Sequence, residues 1–195
     1  MLKFTFKFVL LGDQAVGKTS LVLRYINDTF NSNYISTIGA DFLIKELELF
    51  GAPVRLMIWD LGGQRKWEAI RARYMAGSDG CILIFDVSQE ININYYIYNW
   101  IKEIHDFVGK NTPLIIVGNK IDLKPKINLK ETSQLIQQMN RNYIETSAKT
   151  GEHVETMFLR ITADVIKQKA LYIKKLKGIQ ETDISTIFNK LREKS

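Results

Sequence analysis

The chain has 195 residues, 46% hydrophobic and 25% charged, which suits one compact domain with a sizeable core. A single cysteine excludes a disulfide framework within the chain, and no run of 18 apolar residues exists to cross a membrane as a helix. The net charge of +6 is a tail feature, since residues 160–195 carry nine Lys or Arg against four Asp or Glu without the aromatic interleaving of base-stacking surfaces, so no nucleic-acid partner is expected.

Residues 3–11 alternate Phe4, Phe6 and Phe8 and carry Lys3 and Lys7, a pattern that predicts a strand rather than a signal peptide, and hence an intracellular protein. Gly12-Asp13-Gln14-Ala15-Val16-Gly17-Lys18-Thr19 follows and opens a helix predicted over 17–26. Glycines at this spacing between a strand and a helix form a phosphate loop. Consecutive backbone N–H groups of Gln14, Ala15, Val16, Gly17, Lys18, Thr19 and Ser20 make a concave anion site at the helix N-terminus. Lys18 adds a cation for the β- and γ-phosphates, and Thr19 offers a hydroxyl to Mg²⁺. Residues 27–40 read as a long polar loop. In it Thr37 can give its hydroxyl to Mg²⁺ and its backbone N–H to a γ-phosphate, although by itself it reads as a surface threonine.

Strands are predicted at 41–49 and 53–60. The second ends on Asp60, which lies beside Thr19 if strands 3–11 and 53–60 are neighbours, and there it would serve Mg²⁺ through a bound water. Gly62 and Gly63 come next, and the Gly63 N–H can bond a γ-phosphate with no side chain in the way. Gln64, at the start of a helix predicted over 64–76, can orient an attacking water.

Runs at 80–86, 113–118 and 142–145 are continuous rather than alternating, as in strands buried on both faces of a parallel sheet, and Cys81 in the first reads as a buried thiol. Helices are predicted at 91–108, 129–139 and 152–177, the last with Val154, Met157, Phe158, Ile161 and Val165 on one face. Alternating strands and helices imply an α/β fold with a mostly parallel sheet, whose ligands sit beyond the carboxyl ends of the strands. The chemically suggestive residues fall there repeatedly. Asn119-Lys120-Ile121-Asp122 follows one strand: Asp122 can accept from guanine N1–H and the exocyclic amine, donors that adenine lacks at those places. Asn119 can brace this loop, and the Lys120 stem can cover the base face. Thr146-Ser147-Ala148-Lys149 follows the next strand and offers the Ala148 N–H to guanine O6. Beyond Gly178, Ile184, Ile187, Phe188 and Leu191 fall at helix spacing with Asp183 as N-cap.

The phosphate loop, Thr37, Asp60–Gln64, Asn119–Asp122 and Thr146–Lys149, in this order and spacing, resemble the Ras superfamily of small GTPases over about residues 3–177. The segment from Tyr34 to Phe42 and the trio Phe42, Trp59 and Tyr74 are most similar to its Rab branch. The resemblance implies a P-loop NTPase G domain over 1–177, with a six-stranded, mostly parallel sheet and five helices, and the helix spacing past Gly178 adds a helical extension over 178–195. It implies a monomeric cytoplasmic switch that binds GTP or GDP with Mg²⁺, hydrolyses GTP slowly, and acts in membrane trafficking. Segments near 30–40 and 61–76 would change on hydrolysis. Exchange factors, effectors and an activating protein that supplies an arginine are the implied partners. Phe30 and Tyr34 would join the nucleotide site, and Ile38, Phe42, Trp59 and Tyr74 would form an effector surface, with core filling equally open for the last three.

The sequence departs from Rabs at Leu61-Gly62, where Asp60-Leu-Gly-Gly-Gln64 leans towards the Arf branch and the second glycine should loosen the segment. Arg65 and Lys66 are basic where Rabs are usually acidic, and Gln14 is bulky enough to crowd an incoming arginine. With Leu191-Arg-Glu-Lys-Ser195 at its end the sequence predicts no lipid anchor. Lys167, Lys169, Lys174, Lys175 and Lys177 either draw the protein to an anionic membrane or simply end a solvated helix. An active switch and a nucleotide-loaded scaffold with little hydrolysis are the two functional expectations; Asp122 disfavours an ATP-dependent enzyme.

Overall fold

A computed structural model describes residues 4–30, 37, 39–49, 52–63 and 68–177. The expectations for Tyr34, Ile38, Gln64 and the segment 178–195 lie outside the described residues. In chain order the elements are β1 (Phe4–Leu11), α1 (Lys18–Asn27), β2 (Ala40–Leu49), β3 (Ala52–Leu61), α2 (Glu68–Met75), β4 (Gly80–Asp86), α3 (Ile93–Phe107), β5 (Leu114–Asn119), α4 (Leu129–Gln138), β6 (Asn142–Thr146) and α5 (Val154–Lys177). The alternation expected from the sequence is present, with boundaries shifted by a few residues. Asn92 caps α3 by accepting from the Tyr95 N–H at 3.1 Å, and Asn128 caps α4 from the Glu131 N–H at 3.2 Å.

The strands form one six-stranded sheet in the order β2-β3-β1-β4-β5-β6. Only the β2–β3 pairing is antiparallel. Side chains of the inner strands alternate between two apolar layers. Phe6, Phe8, Leu10, Ile82, Ile84, Ile115 and Val117 share one layer with Leu21 and Val22 of α1 and Phe158 and Ile161 of α5. Val9, Leu11, Cys81, Leu83, Phe85 and Ile116 share the other with Tyr96, Ile97 and Trp100 of α3. Burial in that second layer pushes the Cys81 thiol up to about 12, so it behaves as a small hydrophobe.

β4 and β5 are buried along their whole length, as continuous apolar strands should be. β6 differs: Asn142 is exposed and Tyr143 and Glu145 are half-buried, because β6 is the edge strand and has a partner on one side only.

Register places the chemistry. Leu10 lies opposite Asp60, Asp86 opposite Asn119, and Asn119 opposite Thr146. The carboxyl ends of β1, β3, β4, β5 and β6 therefore open onto one edge. β1 stands between β3 and β4, so the loop after it leaves from the point where the strand order reverses.

Candidate functional site at the carboxyl edge of the sheet

The loop from Gly12 to Gly17 leads into α1 with no side-chain cap, so the N–H groups of the first turn keep no internal partner of that kind. Gly17 itself has φ +99°, and a Cβ there would overlap the Asn119 amide nitrogen; only glycine allows this approach. Gln14 and Ala15 are exposed at the crest of the loop, and Val16 is buried beneath it. Lys18 is 6% exposed and donates to the carbonyls of Gly12 at 2.8 Å and Asp13 at 2.7 Å. Both partners are neutral. Burial pushes the ammonium down to about 8, against the opposing pull of Asp60 and Asp13. This is a cation held ready for an anion at the mouth of the loop.

Beside it, three side-chain oxygens converge. The Thr19 hydroxyl donates to the Asp60 carboxylate and lies 2.8 Å from the Thr37 hydroxyl, which is 3.5 Å from the same carboxylate oxygen. Asp60 is fully buried, and among the described residues its Oδ1 has no hydrogen-bond partner. Burial raises its pKa, and the Thr19 bond and the Lys18 charge only partly offset this. A buried, orphaned carboxylate oxygen next to two hydroxyls is a fit for a hard cation. Among the described residues no three His, Cys, Asp or Glu side chains gather, so a metal here would have one carboxylate and two hydroxyls, the sparse set that magnesium completes with waters and phosphates.

Gly62 and Gly63 close this side. The Gly62 N–H donates to the Gly39 carbonyl at 2.8 Å, and a Cβ on Gly62 would stand 2.9 Å from the Thr37 carbonyl oxygen. The second glycine thus lets two segments pack closely; it does not leave the segment slack, which corrects the expectation drawn from composition. A Cβ on Gly63 would overlap the Asp13 carbonyl carbon and the Gln14 nitrogen.

At the other end of the edge, Asn119 is the brace that the sequence suggested. Its Nδ2 donates to the Val16 carbonyl at 2.9 Å, and its Oδ1 accepts from the Thr146 hydroxyl and the Ala148 N–H, each at 3.2 Å. Three loops are tied by one side chain. The Ala148 N–H, expected to face a base, is thus engaged by Asn119 here. Asp122 accepts from the Ser147 hydroxyl at 2.6 Å and lies 4.0 Å from the Lys149 ammonium; its side chain is 13% exposed although its backbone is open. Lys120 has φ +70°, and its ammonium pairs with buried Asp86 at 2.7 Å, which fixes the stem.

Four contributors carried no sequence signal or an unused one. Asp86 ends β4, and Asp60 stands one residue before the end of β3, so the strand-end rule that found one could have found the other. Arg24 of α1 donates to the carbonyls of Ala148 at 2.9 Å and Lys149 at 2.8 Å and so shapes that loop from below. Tyr96 and Trp100 of α3 reach the phosphate loop: the Asp13 N–H donates to the Tyr96 hydroxyl at 3.0 Å, and the Trp100 indole N–H donates to Asp13 Oδ1 at 3.3 Å.

Phe30 is exposed past the end of α1. On the outer face of β2–β3, Phe42 pairs across the strands with Trp59 (ring centroids 4.8 Å apart), and Trp59 meets Tyr74 at 5.1 Å. Phe42 and Ile44 are exposed, whereas Trp59 and Tyr74 are half-buried against the second core layer. The trio is therefore both core margin and surface.

The sequence model of the Ras family matches residues 7–167. Ras-related protein Rab-1 of Theileria parva is 36% identical over 168 residues, spanning 85% of this chain and 76% of that protein. Ras-related protein Rab-21 of Mus musculus is 39% identical over 166 residues, 84% of this chain and 74% of its own length. Ras-related protein RABE1e of Arabidopsis thaliana is 40% identical over 169 residues, 85% of this chain and 77% of its own.

Proposed function

The chain belongs to the Ras family of small GTPases, in its Rab branch, and on that premise we propose that this sheet edge is a switch site that binds GTP and GDP with Mg²⁺ and hydrolyses GTP in the service of membrane trafficking. The observation that carries the reading is the meeting of Lys18, Thr19, Thr37, Asp60 and the Gly63 backbone around the mouth of the phosphate loop.

The residues take these parts. The N–H groups of Gln14 to Ser20 receive the phosphates, and Lys18 exchanges its two carbonyl partners for β- and γ-phosphate oxygens. Thr19 and Thr37 would hold Mg²⁺ by their hydroxyls and Asp60 through water, and the ion when bound would supply positive charge to the phosphates of the substrate. Thr37 and Gly63 donate backbone N–H groups to the γ-phosphate, and Gln64 orients the attacking water. The water oxygen bonds the γ-phosphorus as the bond to the β–γ bridging oxygen breaks, and the proton leaves with the phosphate. Loss of the γ-phosphate then removes the partner that Thr37 and Gly63 share, which frees both segments. Asp122 selects guanine, seconded by Ser147 and by the Ala148 N–H once the base competes with Asn119 for it. Phe30, Tyr34, Lys120 and Lys149 complete the walls around the base, and Phe42, Trp59 and Tyr74, with Ile38, meet effector proteins. The working form is a cytoplasmic monomer that reaches membranes peripherally; among the described residues no helix is long and apolar enough to cross one.

Single-turnover hydrolysis of GTP preloaded with Mg²⁺ tests this. Gln64→Leu is expected to slow phosphate release by at least about tenfold, as loss of a water-positioning group should. Equal rates would remove Gln64 from the reaction, and rates near zero for both would favour a nucleotide-loaded scaffold.

A further inference from the structure

Arg71 extends from α2 into the seam between α2 and α3 and is 5% exposed. Its guanidinium meets Glu103 of α3 twice, Nε to Oε1 at 2.8 Å and NH2 to Oε2 at 3.2 Å. Glu103 is itself largely covered, with a side chain 16% exposed. The guanidinium also lies over the Trp100 ring, 5.1 Å from its centroid. That same indole donates to Asp13 of the phosphate loop. One turn earlier on α3, the Tyr96 hydroxyl accepts from the Asp13 N–H and donates to the Ile84 carbonyl at 2.6 Å. α3 therefore grips the phosphate loop with two side chains and α2 with a third.

We propose that Arg71 is a positioning residue for the switch: through Glu103 and Trp100 it sets α2, and with α2 the Gly63 backbone that precedes it in the chain, against the phosphate loop. The proposal rests on the GTPase reading above. Burying two charges costs desolvation that apolar packing would avoid, so as glue an apolar pair would do as well. What a two-pronged guanidinium–carboxylate contact adds is direction, because the planar fork matches a carboxylate in one orientation and slides poorly. Stacking on Trp100 fixes the remaining rotation. A shift of α2 is thereby transmitted to the loop that would hold the β- and γ-phosphates.

The test compares wild type, Arg71→Ala, Arg71→Lys and the swap Arg71→Glu with Glu103→Arg. Each is titrated with GDP and with a non-hydrolysable GTP analogue, and single-turnover GTP hydrolysis is followed alongside. Arg71→Ala should leave GDP affinity within about twofold, weaken the analogue about tenfold and slow hydrolysis about tenfold, the size expected of coupling between adjoining sites. Arg71→Lys keeps the charge without the fork and should fall between, and the swap should regain most of the analogue-to-GDP ratio. A merely structural arginine would lower both affinities together and leave the ratio and the hydrolysis rate of the loaded protein unchanged; that result overturns the proposal. If Arg71→Ala does not fold, the ratio in Arg71→Lys decides in the same way. A wild type that binds no guanine nucleotide sinks the GTPase reading itself, and is seen before any substitution is made.

Discussion

The two ends of the carboxyl edge are built on different terms. At the base end the protein satisfies itself: Asn119 makes three buried bonds, Asp122 holds Ser147, Lys120 holds Asp86, and Arg24 supports two loop carbonyls. At the phosphate end the groups press on one another. Among the described residues the Lys18 ammonium hydrogen-bonds neutral carbonyls and one Asp60 oxygen has no partner; the Lys18 pKa is lowered and that of Asp60 is raised. Burial without compensation is costly in the free protein and is relieved by a ligand of the right charge. The base end is thus held together by the protein's own side chains, and the phosphate end carries buried charges that a ligand would balance. A switch needs this division, because affinity has to persist while one end changes with the γ-phosphate.

The sharpest way to break the comparison is at Asn119. Asn119→Ala removes partners from the Val16 carbonyl, the Thr146 hydroxyl and the Ala148 N–H at once. At about 1 kcal/mol for each bond the loss is about 3 kcal/mol, or more than about 10²-fold in GDP release measured with a fluorescent nucleotide. The GTP analogue should suffer equally, since the base end does not distinguish the two. A loss confined to one nucleotide would mean that the ends are not independent.

Magnesium removal attacks the other end, with a smaller effect on GDP. Chelation should speed GDP release by about 30-fold, or about 2 kcal/mol, by leaving Asp60 and the phosphates without their shared counter-charge. Analogue release should rise further still, because Thr37 and the γ-phosphate then lose the ion as well. Preference for guanine over adenine nucleotides should not move. If chelation erased that preference, the base end would not be self-supporting.

These contrasts were unequally legible in the sequence. Strand-end residues such as Asp60 and Asn119 could be placed because a parallel sheet brings the ends of its strands together whatever their order. The edge position of β6 could not, since sheet order is a tertiary fact and Asn142–Thr146 is too short to betray exposure by its pattern. Arg71 and Glu103 stand 32 residues apart on different helices, and nothing local in either segment marks them as partners. Gly62 is opaque for the same reason: glycine suggests freedom in a sequence window, but here backbone atoms of Thr37 and Gly39 lie where a side chain would be.

Gly63 offers the finest division between the two ends. A methyl group there would run into the Asp13 carbonyl carbon and the Gln14 nitrogen, both backbone and neither able to swing aside as a side chain tip would. Gly63→Ala must therefore push either the glycine segment or the phosphate loop. The loop is held from two sides, by Asn119 on Val16 and by Tyr96 and Trp100 on Asp13, so the glycine segment is the one to give way. Its displacement would withdraw the N–H proposed for the γ-phosphate and leave the groups proposed for the base and the β-phosphate in place. Affinity for the non-hydrolysable analogue should fall about tenfold, the worth of one charge-assisted hydrogen bond, while GDP affinity stays within about twofold. Isothermal titration with both nucleotides reads the ratio directly. Equal losses would show that the loop, not the glycine segment, had moved, and that the base end is less firmly held than its hydrogen bonds imply.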